Sequence, residues 1–90
     1  MSAAEPIADL TTGAVELFGA RACPYTTELR EHLLWNGIAF TEYDVEADAG
    51  ARERLLSLTG GRPAVPVLVE NGRVKEIGWR GRSCAIDAAY

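Results

Sequence analysis

The feature that most constrains the fold is an alternation of short apolar runs and amphipathic runs, each bounded by glycine or proline. Residues 14–18 predict a strand, because AVELF is short, apolar and followed by a glycine. A helix is predicted from Pro24, which suits a first helical position, to the stop signal at Asn36-Gly37. Residues 38–45 then alternate well enough to predict a second strand.

The second half of the chain continues the alternation and closes with a hairpin. Asn71-Gly72 is a typical two-residue hairpin signal. Around it the sequence predicts a helix capped by Asp48 and ended by Gly60-Gly61, strands over 65–70 and 73–77, a loop over 78–83 and a short final helix over 84–90.

This order, β-α-β-α-β-β-α, predicts an α/β fold. Strands joined through a helix pair in parallel, and the hairpin strands pair antiparallel. The result is a four-stranded mixed sheet flanked by helices. The length of 90 residues allows one domain, which we place at 14–90 after a flexible tail over 1–13.

Apolar spacing predicts which helical side chains are buried. Four-residue spacing places three side chains of the first helix on an inward face, with Leu34 beside them. We also expect His32 to be a surface residue and both tryptophans to be packing residues. The predicted inward set is Tyr25, Leu29, Leu33 and Leu34 in the first helix, and Ala51, Leu55 and Leu58 in the second.

Charge and hydropathy narrow the choice of partners. The net charge of −4 makes nucleic acid and anionic membranes unexpected partners. The sequence has no apolar stretch long enough to span a bilayer, and its N-terminus carries Glu5 and Asp9 with no basic region. We therefore expect a cytoplasmic protein. As separate expectations, we take it to be a monomer without a tightly bound cofactor.

The two cysteines, Cys23 and Cys84, suggest chemistry more than scaffolding. Disulfide scaffolds usually carry four or more cysteines, and two cysteines with one histidine cannot fill a structural zinc site. Each cysteine is therefore either reactive or simply buried, and its surroundings must decide.

Cys23 lies where a strand gives way to a helix. Free N–H groups and the helix dipole stabilise a thiolate at that place, and Arg21 adds positive charge. Pro24 stiffens the first turn. We expect a lowered thiol pKa and a nucleophilic role, the alternative being a small buried cysteine at a helix start.

Three motifs in order resemble the glutaredoxin family. Residues 18–26, FGARACPYT, look like its active-site stretch, in which the pattern is Cys-Pro-Tyr-Cys or a single-thiol variant. Residues 62–66, RPAVP, resemble its Thr-Val-Pro stretch, and residues 77–81 resemble its glycine pair. The similarity runs from about Val15 to Ile86.

The resemblance implies that the α/β fold is thioredoxin-like. It also implies a thiol–disulfide oxidoreductase that reduces mixed disulfides of proteins and small molecules. Its co-substrate would be glutathione or another low-molecular-weight thiol. It implies a cis Val65–Pro66 bond, with the Val65 backbone free for a cysteinyl substrate; an ordinary trans proline at a strand start is the alternative. The implied glutathione-binding residues are Arg21, Pro24, Tyr25, Arg62, Val65, Pro66, Gly81 and Arg82.

Two departures from the family pattern shape the mechanism. Thr26 replaces the second cysteine of the motif, so the simplest scheme is monothiol: Cys23 takes up glutathione and a second glutathione releases it. Thr26 either hydrogen-bonds the thiolate or fills the first turn. The family's lysine position holds Ala20, with Arg21 one residue later.

Cys84 admits two interpretations. It resolves Cys23 in place of the missing second cysteine, or it is a structural cysteine under the final helix. A Cα separation well beyond about 7 Å would count against a bridge to Cys23. The segment 78–84 also resembles a bacterial glutaredoxin-like group with some selenocysteine members.

Two other functions stay open. A monothiol glutaredoxin can share a 2Fe–2S cluster between two protomers, although a proline after the cysteine, here Pro24, goes with redox activity in the family. A scaffold or sensor without turnover would keep an ordinary pKa of about 8.5 at Cys23.

Overall fold

The computed structural model describes residues 14–86, so the predicted tail over 1–13 lies outside the described residues. The elements are β1 (Val15–Gly19), α1 (Pro24–Trp35), β2 (Thr41–Asp44), α2 (Ala49–Thr59), β3 (Ala64–Val65), β4 (Val67–Glu70), β5 (Arg73–Ile77) and β6 (Cys84–Ala85). No helix within residues 14–86 is long and apolar enough to cross a membrane.

A four-stranded mixed sheet forms the centre of the molecule, as predicted. Its strand order is β2-β1-β4-β5. β1 pairs with β2 in parallel, whereas β4 pairs antiparallel with both β1 and β5. The parallel pair is connected through α1, which therefore lies on one face of the sheet.

Local signals in the sequence account for the ends of the helices and the hairpin. Pro24 occupies the start of α1, and the Asp48 carboxylate accepts a hydrogen bond of 3.1 Å from the Ala51 N–H at the start of α2. Gly60 ends α2 in the left-handed conformation. The hairpin turn has positive φ at both Asn71 and Gly72, as a type I′ turn requires.

Adjacent residues of β1 feed two separate hydrophobic clusters, because successive side chains of a strand point to opposite faces. Leu17 joins Leu29 and Leu33 of α1, together with Leu68. Phe18 joins the opposite cluster, which contains Ala51 and Leu55 of α2 and the buried valines 45, 65, 67 and 69. Each helix thus covers one face of the sheet.

Burial differs from the prediction at the end of α1. Leu34 is 61% exposed and Trp35 is 88% exposed, so neither belongs to the core. Each residue advances about 100° around a helix, which carries Leu34 away from the inward side defined by Leu29 and Leu33. Tyr25 is partly buried but packs against the Phe18 cluster.

The predicted final helix is wrong over its described part, since Cys84 and Ala85 form strand β6. This strand pairs antiparallel with β3, and the Ile86 N–H donates to the Pro63 carbonyl at 2.9 Å. Buried backbone groups need partners, and β6 supplies them to β3. Residues 87–90 of the predicted helix lie outside the described residues.

The predicted strand over 65–70 is divided into β3 and β4 at Pro66. Proline has no N–H to offer a ladder, and the Val65–Pro66 peptide bond is cis. The chain therefore changes partners at this point, from β6 on one side to β1 and β5 on the other.

One ion pair links the sheet to α2. The Arg54 guanidinium donates to both carboxylate oxygens of Glu16, at 3.0 and 3.2 Å, and the Tyr43 hydroxyl donates to the same carboxylate at 3.1 Å. The hydrogen bonds from Arg54 hold the pKa of Glu16 below its ordinary value of 4.5, although burial opposes them.

Glu16→Gln should therefore lower the free energy of unfolding in a pH-dependent way. The lowered pKa means that the ion pair contributes fully above pH 4.5 and is lost as the pH falls through the folded-state value. For a partly exposed pair we expect a loss of about 0.5–1 kcal/mol near neutral pH. Urea denaturation across the acidic range measures it.

Glu53→Gln is the matched control, because Glu53 is an exposed glutamate of α2. The difference between wild type and Glu16→Gln should narrow in acid, while that for Glu53→Gln should stay small throughout. A Glu16→Gln penalty that is constant with pH would contradict the assignment.

Candidate redox site

Cys23 occupies the residue immediately before α1. Its backbone is extended, and its carbonyl accepts the first hydrogen bonds of the helix, from the N–H groups of Thr26 and Thr27 at 3.1 and 3.3 Å. The residue is only 3% exposed. The sulfur atom is therefore held at the positive end of the helix, as the sequence predicted.

Cys84 is joined to Cys23 by a disulfide, with a Cα–Cα separation of 6.0 Å. This separation lies within the usual range for disulfides. The two cysteines are 61 residues apart in sequence, and β6 brings them together. Of the two interpretations of Cys84, the one that placed it under a final helix is wrong in that placement, because Cys84 lies in strand β6. The bond to Cys23 is the geometry that a resolving cysteine requires.

The cis-proline loop lies against the disulfide. Val65 stands opposite Cys84 in the β3–β6 pair, and its carbonyl oxygen is 3.9 Å from the Cys23 sulfur. The cis Val65–Pro66 bond implied by the family resemblance is confirmed. Cys23, the cis proline and Cys84 are thus brought together from three distant parts of the chain.

Thr26 fills the first turn of α1. Its side chain is completely buried, and its hydroxyl accepts a hydrogen bond of 3.3 Å from the Ala20 N–H. It also packs against Gly19, where an added Cβ would lie 2.9 Å from the threonine oxygen. Of the two roles considered for Thr26, this geometry supports the structural one.

The other predicted site residues lie within three residues of Cys23, Val65 or Cys84 along the chain. Pro24 is exposed and Tyr25 partly buried on α1, whereas Gly81 belongs to an exposed turn with φ of 79°. The three predicted arginines are all exposed, and each lies two or three residues before Cys23, Val65 or Cys84. They are Arg21, Arg62 and Arg82.

Positive charge predominates in the backbone segments that form the site. Segments 19–26, 60–66 and 78–86 contain four arginines and no aspartate or glutamate. Acidic side chains from β2 and the residues after it face one of these segments, since Asp44 and Glu46 line a shallow groove with Arg21. Within residues 14–86 no cluster of His, Cys, Asp or Glu suited to a metal ion is present.

Sequence reasoning missed the turn that leads to Cys84. The backbone groups of Trp79 and Arg82 pair with each other, and both residues between them, Arg80 and Gly81, have positive φ. The Trp79 ring lies on His32 of α1, with ring centroids 4.9 Å apart. His32 is exposed, as predicted. An arginine in the left-handed region gives little sequence signal for such a turn.

Comparison with known proteins places these features in a family. Residues 15–75 match the sequence profile of the family described as Glutaredoxin. The chain is 31% identical over 64 residues to a protein named probable glutaredoxin slr1562 from Synechocystis sp.. That match covers 71% of this chain and 59% of the relative, so the chain spans less than two thirds of its length.

Solved structures agree on the fold. The thioredoxin-like protein BC3987 is 35% identical, with a TM-score of 0.60 over 67% of this chain and 81% of its own. The glutaredoxin grx-1 from Archaeoglobus fulgidus is 21% identical and superposes with a TM-score of 0.67 over 84% of this chain and 86% of its own, a likeness of fold alone.

Thr26→Val should separate the two roles of the threonine. The substitution keeps the shape but leaves the buried Ala20 N–H without its acceptor, so we expect the free energy of unfolding of the oxidised protein to fall by about 1–2 kcal/mol. The rate at which iodoacetamide alkylates Cys23 in the reduced protein should change little. Thr27→Val, at the partly buried neighbouring position, is the control for stability. A large fall in alkylation rate at unchanged stability would instead identify Thr26 as a thiolate partner.

Proposed function

The chain belongs to the glutaredoxin family, and from this premise we propose a thiol–disulfide oxidoreductase that works through two thiols, Cys23 and Cys84. Family membership supports thiol–disulfide exchange as the general chemistry. The observation that carries the two-thiol form is the Cys23–Cys84 disulfide beside the cis proline. Cys84 takes the place of the motif's second cysteine, which is a threonine, Thr26, in this chain.

In the first step the Cys23 thiolate attacks one sulfur of a substrate disulfide. A new bond forms between the Cys23 sulfur and that sulfur, the substrate's own S–S bond breaks, and the second substrate sulfur leaves as a thiolate. A mixed disulfide on Cys23 results.

In the second step the Cys84 thiolate attacks the Cys23 sulfur. The Cys23–Cys84 bond forms and the remaining substrate sulfur leaves as a thiolate, so one substrate disulfide has become two thiols. The protein is left oxidised, in the state that the structure describes. Two equivalents of glutathione or another low-molecular-weight thiol then return it to the dithiol form.

The order of attack depends on the helix terminus. Cys84 is the more accessible cysteine, being partly buried where Cys23 is 3% exposed, so exposure alone would favour attack by Cys84. Cys23, however, precedes α1, and thiols at helix N-termini reach pKa values of roughly 3.5–7.5 against about 8.5 for a free cysteine. Since the thiolate is the nucleophile, we assign the first attack to Cys23.

The exposed rim supplies the substrate contacts in this proposal. The charged members of the rim, Arg21, Arg62 and Arg82, carry the charge expected to bind the carboxylates of glutathione. Pro24, Tyr25 and Gly81 complete the proposed rim. The Val65–Pro66 backbone, in a buried part of the chain, is a further proposed contact for the substrate. We further propose disulfide-containing proteins as partners, and a cytoplasmic monomer that uses neither nucleic acid nor membrane.

The proposal favours redox turnover over cluster carriage. A monothiol carrier uses its active cysteine as an iron ligand shared between protomers. In this chain the Cys23 sulfur already has a partner within bonding reach, at a Cα–Cα separation of 6.0 Å. An intramolecular thiol at that distance competes strongly with any second molecule.

Intact-mass spectrometry of the reduced protein mixed with stoichiometric oxidised glutathione tests the two-thiol form. Wild type should lose two hydrogens and carry no adduct, because Cys84 displaces glutathione from Cys23. Cys84→Ser should keep one glutathione on Cys23, and Cys23→Ser should react more slowly than wild type.

A stable glutathione adduct on wild-type Cys23 would contradict the resolving role and favour the monothiol scheme. Faster reaction of Cys23→Ser than of Cys84→Ser would reverse the order of attack. Thr26→Ser serves as the matched control. Like the two cysteine variants it introduces a serine near the site, but it leaves both cysteines in place.

A further inference from the structure

The segment that carries Cys84 is fixed to the cis-proline loop at both ends. At its start the Gly78 N–H donates to the Pro66 carbonyl at 2.6 Å, and at its end the Ile86 N–H donates to the Pro63 carbonyl at 2.9 Å. Between these points β6 pairs with β3 through only two residues. Two-residue pairing contributes little by itself, so the position of Cys84 requires a further anchor.

Trp79 is that anchor. Its side chain packs against the Leu17 cluster, which includes Leu29 and Leu33 of α1, and its ring lies on His32 of the same helix. The Arg80 guanidinium also lies over the indole ring, 5.1 Å from its centroid. The indole thereby docks the 78–86 segment onto α1, the helix whose first turn begins at Cys23.

A short, hydrogen-bonded turn connects Trp79 to Cys84. The Trp79 N–H donates to the Arg82 carbonyl at 2.7 Å and the Arg82 N–H returns a bond of 3.0 Å, which closes a tight turn. An added Cβ at Gly78 would lie 2.8 Å from that Arg82 carbonyl, so the turn is also closely packed. Cys84 follows Arg82 by two residues.

We propose that Trp79 is a positioning residue for the resolving step: its docking on α1 sets the effective concentration of the Cys84 thiol at Cys23. The inference rests on the proposed two-thiol function and deepens it. The step concerned is attack of the Cys84 thiolate on the Cys23 sulfur of a glutathione mixed disulfide, with glutathione leaving as its thiolate. Its equilibrium against free glutathione measures how well the fold holds Cys84 in place.

The test is equilibration of Trp79→Ala in glutathione buffers of graded ratio, followed by acid quenching and intact-mass spectrometry. Loss of the anchor should lower the effective concentration of Cys84 roughly tenfold or more, a change of about 30 mV in reduction potential. The glutathione adduct on Cys23 should accumulate accordingly. Trp79→Phe should recover most of the wild-type value.

Trp35→Ala is the matched control, because Trp35 is a tryptophan of α1 that is 88% exposed. Its glutathione equilibrium should equal that of wild type. In a Cys84→Ser background, Trp79→Ala should change the alkylation rate of Cys23 less than about twofold, because Trp79 acts through Cys84 and not on the Cys23 thiolate. Should Trp79→Ala not fold, Trp79→Leu keeps apolar contact while removing the ring contact with His32, and should give an intermediate loss.

A folded Trp79 variant with the wild-type equilibrium would overturn the inference while leaving the two-thiol function intact. Failure of the wild type to form the Cys23–Cys84 disulfide in the same buffers would instead overturn the proposed function. A fall in Cys23 alkylation in the Cys84→Ser background would also count against the inference, since it would mean a general disturbance of the site.

Discussion

The pairing of β3 with β6 is the interaction on which the site depends. It places Val65 opposite Cys84. Cys84 is thereby brought to the N-terminus of α1, where Cys23 lies. Without that pairing the helix terminus would offer a single thiol, as in the monothiol members of the family. β1 and β4 belong to the four-stranded sheet, whereas β3 and β6 form a separate two-stranded sheet. The two-stranded sheet is the one that holds Cys84 close to Cys23.

The two cysteines have different environments, and the difference suits different roles. Cys23 is buried at a helix N-terminus, which stabilises a thiolate, whereas Cys84 lies in a two-residue strand with more access to solvent. Thr26 occupies the position of the usual second cysteine, and its hydroxyl oxygen accepts a hydrogen bond from the Ala20 N–H. In the mechanism we propose, attack and resolution therefore belong to two segments 61 residues apart and not to one helical turn.

Much of the fold was predictable because its signals are local. Pro24, Asp48 and Asn71-Gly72 each dictate a helix start or a turn through their own backbone chemistry, and all are confirmed. The segment after Gly81 was not predictable in the same way. Strand β6 has only two residues, too few for a periodic pattern. Its conformation depends on pairing with β3, which is distant in sequence and which local residue types do not indicate.

A single-turnover rapid-quench experiment tests whether Cys84 resolves the mixed disulfide on Cys23. Reduced protein is mixed with a small peptide disulfide, and the masses are followed through time. The account predicts a peptide adduct on Cys23 that forms first and then decays into the Cys23–Cys84 disulfide, at a rate independent of added thiol. An adduct that persists until glutathione is added, and then decays in proportion to its concentration, would contradict a resolving role for Cys84.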